Sequence, residues 1–143
     1  MISLEVSIEV GRSPIEVFAF LSEFTNDAKW QADLVRVEKT SSGPVALGST
    51  GRYVAKFLGQ EMKNDVVVTV FETPRRFALK TTSGPIQFET VSTLEAAGAG
   101  TRLTMTATAE PGGFFKVAEG LVKREAEKTL ARDAQRLKEI LEA

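Results

Sequence analysis

The sequence predicts an α+β fold: a curved antiparallel sheet of about seven strands wrapped around a long C-terminal α-helix, with two short helices between strands 1 and 2. Three observations predict it. Apolar and polar residues alternate in short segments from Ile2 to Glu110, the later segments are separated by tight Gly- and Pro-containing turns, and from Phe114 the hydrophobic period becomes that of a helix.

Ile2, Leu4, Val6, Ile8 and Val10 alternate with Ser3, Glu5, Ser7 and Glu9, which puts every apolar side chain of the first strand on one face. Gly11-Arg-Ser-Pro14 breaks it. Ser13 is placed to cap a helix, Pro14 to occupy its first position and Glu16 to meet its dipole, with Val17, Phe18, Phe20, Leu21 and Phe24 on the apolar side. Thr25-Asn-Asp27 loosens the chain before a second short turn ending near Trp30. Strands are then predicted over Leu34 to Thr40, Arg52 to Leu58, Glu61 to Phe71, Arg76 to Thr82, Ile86 to Leu94 and Thr101 to Glu110. The separators, among them Gly59-Gln60, Thr73-Pro-Arg75, Ser83-Gly-Pro85 and Ala97-Gly-Ala-Gly100, imply antiparallel neighbours. The final helix is expected to run about 28 residues, with Phe114, Val117, Leu121, Leu130, Leu137 and Leu141 on its stripe and Val122, Ala126, Ala134 and Ile140 beside it. Two short helices cannot cover that stripe, so it must lie across the sheet.

Composition narrows the chemistry. With no Cys and no His, thiol and imidazole mechanisms and the usual zinc and iron ligands are excluded, and no cofactor or metal is expected. A net charge of −1 gives no field that would attract nucleic acid. The start Met1-Ile-Ser-Leu-Glu-Val6 does not resemble a secretory signal, and no stretch approaches the ~20 apolar residues of a membrane span, so a cytoplasmic location is expected. The 143 residues read as one domain over 1–143, without repeat or linker. Exposed sheet or helix surface leaves room for a homodimer.

Ser13-Pro-Ile-Glu-Val-Phe-Ala-Phe-Leu-Ser22 with Trp30 downstream, Leu47-Gly-Ser-Thr-Gly51, Glu72-Thr-Pro-Arg-Arg-Phe77 and Gly98-Ala-Gly-Thr-Arg-Leu-Thr104 occur in the order seen in a known group. Over essentially its whole length the chain resembles the START-like superfamily, also called Bet v 1-like, helix-grip or SRPBCC. Within it, the similarity is to the polyketide cyclase/dehydrase-like and CO-dehydrogenase-subunit-G-like branches. These motifs are turns and caps: Pro74 fixes φ, and Gly98 and Gly100 permit positive φ before a strand. They specify shape. The resemblance implies a group whose members bind lipids and hormones, cyclise polyketides, activate chaperone ATPases or assist cofactor assembly, so it selects none of these by itself.

Projecting the alternation inward puts Tyr53, Phe57, Met62, Asn64, Val66, Val68, Phe77, Leu79, Phe88, Thr90, Ser92, Leu103, Met105 and Ala107 toward the helix. Ala55, Ala107 and Ala109 on that side are small for a filled interface, which predicts a hollow; the opposing reading is that Phe18, Trp30, Met62 and Met105 fill it. The candidate ligand-binding residues are Trp30, Tyr53, Phe57, Asn64, Val68, Phe77, Leu79, Phe88, Thr90, Met105, Phe114, Val117 and Leu121. Tyr53 can hydrogen-bond a ligand or tuck its ring into the core, and Asn64 and Thr90 can orient a ligand or be satisfied by water. Trp30 is either a wall at the pocket mouth or a plug, and Phe114 either a gate or a helix anchor. No catalytic residue is expected: no Asp or Glu falls inside by strand parity, Asp65 and Glu89 being outward. Binding or carriage of a small lipid-like, aromatic or polyketide-like molecule is thus the favoured reading. A cyclase or dehydratase using the same cavity and an accessory interaction protein are the alternatives.

Overall fold

A computed structural model shows the architecture and describes residues 1–57, 59–111 and 118–143, without the side chains of Phe57 and Pro111. In chain order it contains β1 (Ile2–Val10), α1 (Pro14–Ser22), a 3-10 turn (Phe24–Asn26), α2 (Asp27–Trp30), β2 (Leu34–Lys39), β3 (Thr50–Phe57), β4 (Gln60–Glu72), β5 (Arg76–Ser83), β6 (Ile86–Ala97), β7 (Gly100–Pro111) and α3 (Glu119–Glu142). The seven strands form one sheet in the order β1-β7-β6-β5-β4-β3-β2, with every adjacent pair antiparallel. The meander therefore runs from β2 to β7, and β1 closes the row against the last strand. None of the described helices is long and apolar enough to cross a membrane.

Local chemistry accounts for the elements. The Ser13 hydroxyl accepts the Glu16 backbone N–H at 3.4 Å and donates to the Glu16 carboxylate at 2.9 Å, closing the first turn of α1 reciprocally. Alternation places Ile2 and Val10 of β1 inside, while Ser7 on the other face hydrogen-bonds Thr104 of β7 at 3.0 Å. Gly98 has φ +60° at the β6–β7 turn, as expected. Gly100 differs: a Cβ there would lie 2.4 Å from the Val10 carbonyl oxygen, so glycine is needed for close approach of β1 and not for a positive φ.

α3 lies across the inner face, and its C-terminal end is tied to the start of α1. Arg12 donates through Nε to the Leu141 carbonyl at 2.7 Å, and the Gly11 N–H donates to Glu142 at 2.8 Å. Around this end the core is dense: Val10, Val17, Phe24, Leu103 and Leu137 are nearly inaccessible, and Ala134 packs among them. Phe71 joins them through an irregularity. A register shift between Val68 and Val70 inserts an extra residue into β4, and Phe71 turns inward to stack edge-on against Phe18 at 5.4 Å and Phe77 at 6.2 Å.

Candidate functional site

Away from that packed end the sheet and α3 separate. Three contiguous hollows of about 240, 190 and 270 Å³ lie between them, and Gln31 and Thr90 border all three. The cause is side-chain size. Ala55 of β3, Ala107 and Ala109 of β7 and Ala126 of α3 stand where larger aliphatic groups would close the gap, and Met62, Leu79 and Phe88 complete an apolar wall.

Several of the sequence-predicted residues come together here. Trp30, Phe77, Leu79, Thr90 and Met105 border the first hollow, and Tyr53, Asn64, Leu79, Phe88 and Thr90 the second. Trp30 is only 6% exposed, which makes it an inner wall and not a mouth. Two residues fall elsewhere. Val68 points inward but is absorbed into the packed core and borders none of the hollows. Leu121 is 50% exposed: the inner stripe of α3 runs through Val122, Ala126, Thr129, Asp133 and Leu137, so Leu121, one residue off it, turns about 100° away. Phe114, Val117 and the Phe57 side chain lie outside the described residues.

Strand parity overlooked two carboxylates because both are on helices. Asp27, in the first turn of α2, is buried and accepts the Tyr53 hydroxyl at 2.5 Å. Desolvation dominates its ionisation and pushes its pKa up from 3.8 to about 7, although the Tyr53 hydroxyl and the nearby Trp30 N–H favour the charged form. The Trp30 N–H nevertheless reaches no acceptor with hydrogen-bond geometry. Burial, then the facing Asp27 carboxyl, raises Tyr53 well above its ordinary 10, so it remains a neutral donor.

Asp133 of α3 is 4% exposed and accepts the Ala32 N–H at 3.2 Å. Its pKa too is raised, chiefly by burial, against the opposing pull of the Ala32 N–H and of Arg132 at 3.5 Å. Both carboxyl groups border the first hollow, so an otherwise oily space has an acidic side. Asp65 shows the contrast: it pairs at the surface with Arg52 and Ser83, and those hydrogen bonds lower its pKa.

The geometry supports two capacities: enclosure of an apolar body, and hydrogen bonding or proton exchange at Asp27. Comparison with known proteins agrees with the architecture. A START superfamily protein from Mycobacterium smegmatis superposes with a TM-score of 0.83 at 18% identity, covering 98% of this chain and 97% of that one. A conserved protein from Geobacillus kaustophilus gives 0.78 at 19%, covering 98% and 95%. Ara h 8.0201 gives 0.67 at 13%, covering 97% and 96%. At such identities these likenesses speak for the fold, which is the START/Bet v 1 helix-grip. No curated protein matches the sequence. A family model, in contrast, matches residues 1–142, and the chain belongs to the family described as polyketide cyclase/dehydrase and lipid transport.

Proposed function

We propose that residues 1–143 act as one domain that binds or carries a small hydrophobic molecule between the sheet and α3. The observation that carries this reading is the contiguous hollow lined by Ala55, Ala107, Ala109 and Ala126, with Gln31 and Thr90 among its polar groups. Family membership and fold are consistent with it. A ligand that binds only the native state must raise stability by mass action. Native mass spectrometry of the protein as expressed, followed by organic extraction, is expected to find a non-covalent adduct. A panel of apolar compounds is expected to raise Tm, and a panel without effect on a protein carrying no adduct would overturn the reading.

One observation favours a second reading, acid–base catalysis in the same space. A buried carboxyl tuned to about 7, oriented by a tyrosine and facing a cavity, has the ionisation that a general acid or base requires. Cyclisation or dehydration of a polyketide-like substrate would then depend on Asp27. Loss of turnover in Asp27→Asn, with ligand binding retained, would separate catalysis from carriage.

A further inference from the structure

The hydrogen bonds around the hollow leave one donor over. Among the described residues, the buried side-chain polar atoms without a partner are the Trp30 N–H, the Asn64 oxygen and the Thr69 hydroxyl. Thr69 borders none of the three hollows. The Asn64 oxygen is turned toward the β5–β6 turn, where a Cβ on Gly84 would fall 2.0 Å from it, so it is packed against backbone and not presented to a ligand. Trp30 differs from both. It borders the first hollow at 6% exposure, with its N–H beside the Asp27 carboxyl but outside hydrogen-bond geometry. A buried N–H of this kind costs free energy until an acceptor arrives.

A second observation points the same way. Asp27 borders the same hollow, and among the described residues its carboxyl receives one hydrogen bond, from the Tyr53 hydroxyl to one of its two oxygens. Burial holds this carboxyl toward its protonated form, in which the second oxygen carries an O–H next to the indole N–H. Two neighbouring donors thus stand at the hollow, and no Lys or Arg is among the described residues that line it.

Resting on the cavity reading above, we propose that the first hollow selects a neutral hydrophobic molecule bearing a carbonyl oxygen, which accepts from the Trp30 N–H and from Asp27. A carbonyl oxygen has two lone pairs and can accept both donors at once, while its apolar body fills the space beside Ala107 and Ala126. An ammonium would bring only further donors to a place that lacks an acceptor. A carboxylate would bury a charge against a lining with no Lys or Arg among its described residues.

Three probes of one shape test this on the full chain: α-tetralone, tetralin, which lacks the oxygen, and α-aminotetralin, which is protonated near neutrality. Trp30 is the sole tryptophan, so its indole N–H gives a single resonance in the NMR spectrum of the isotope-labelled protein. At about pH 6, tetralone is expected to move that resonance downfield as the hydrogen bond forms, and tetralin is not. Tetralone should bind at least as tightly as tetralin, although its carbonyl must leave water, and about tenfold more tightly than aminotetralin. Trp30→Phe keeps an aromatic wall and removes the donor, and should lower the ratio of tetralone to tetralin affinity about tenfold. The indole shift is read in the unaltered protein, so the test stands even where Trp30→Phe does not fold. Tighter binding of tetralin or of the amine, or binding of tetralone without the downfield shift, would overturn the carbonyl proposal and leave the cavity reading intact. Failure of all three probes to bind would overturn both.

Discussion

The two ends of the sheet–helix interface use the same residue classes for opposite ends. Beneath the C-terminal half of α3, Phe18, Phe24, Leu103 and Leu137 interdigitate with Phe71 and Phe77, and little space remains. Beneath its N-terminal half, Ala107, Ala109 and Ala126 face one another across a gap, and two carboxyl groups are buried beside it. The dense end supplies folding free energy that the hollow end gives up, because unfilled volume forfeits dispersion contacts and buried carboxyls cost desolvation. A binding site of this kind is sustained by the part of the molecule that does not bind.

The largest expected effect tests the dense end. Leu103→Ala removes a fully buried side chain where neighbours cannot collapse, and should cost about 3 kcal/mol in urea unfolding. The next concerns pH. Asp27 has a folded pKa of about 7 against an ordinary 3.8, so the folded state holds its proton longer than the unfolded chain does. Its penalty is absent below the unfolded value, develops as pH rises and is complete above about 7. Between about pH 5 and about pH 8 the protein should lose on the order of 2 kcal/mol, and Asp27→Asn, which keeps an acceptor for Tyr53, should remove most of that slope. Asp133, also raised, contributes with the same sign and leaves a residue of it.

A paired substitution on one helix sharpens the contrast. Ala134→Leu, in the dense end, should cost about 1–3 kcal/mol by overpacking. Ala126→Leu, two turns earlier and facing the hollow, should change stability by less than about 1 kcal/mol while removing ligand-dependent stabilisation. The smallest effect is expected outside both ends. Arg52→Ala breaks an exposed ion pair with Asp65 on the outer face and should leave the urea midpoint nearly unchanged, the more so at high salt.

How much was legible in the sequence follows from which residues report their surroundings locally. Strand alternation placed Tyr53, Leu79, Phe88 and Met105 inward because a pleated strand leaves each side chain a choice of two faces. Ala55, Ala107 and Ala109 in that inward set announced the hollow, since their size is a local property. Phe71 could not be placed, because the irregularity between Val68 and Val70 shifts the alternation without any sequence mark. Asp27 was invisible for another reason. An acidic residue in a first helical turn is ordinary at a surface, and only the packing of α2 against Tyr53 of β3 buries it. Asp133 did leave a signal: it lies between Thr129 and Leu137 at four-residue steps, a charge within the buried stripe. Had that stripe been centred on Val122 and not Leu121, Asp133 would have been recognised as an inner residue.

Trp30, the sole tryptophan, forms a wall of the hollow and reports on its contents. Its emission should change saturably on titration with an apolar compound that raises Tm in the unaltered protein, and the change should vanish when Ala107→Leu and Ala126→Leu fill the space from opposite sides. An undiminished response in the filled protein would contradict the claim that this space receives the ligand.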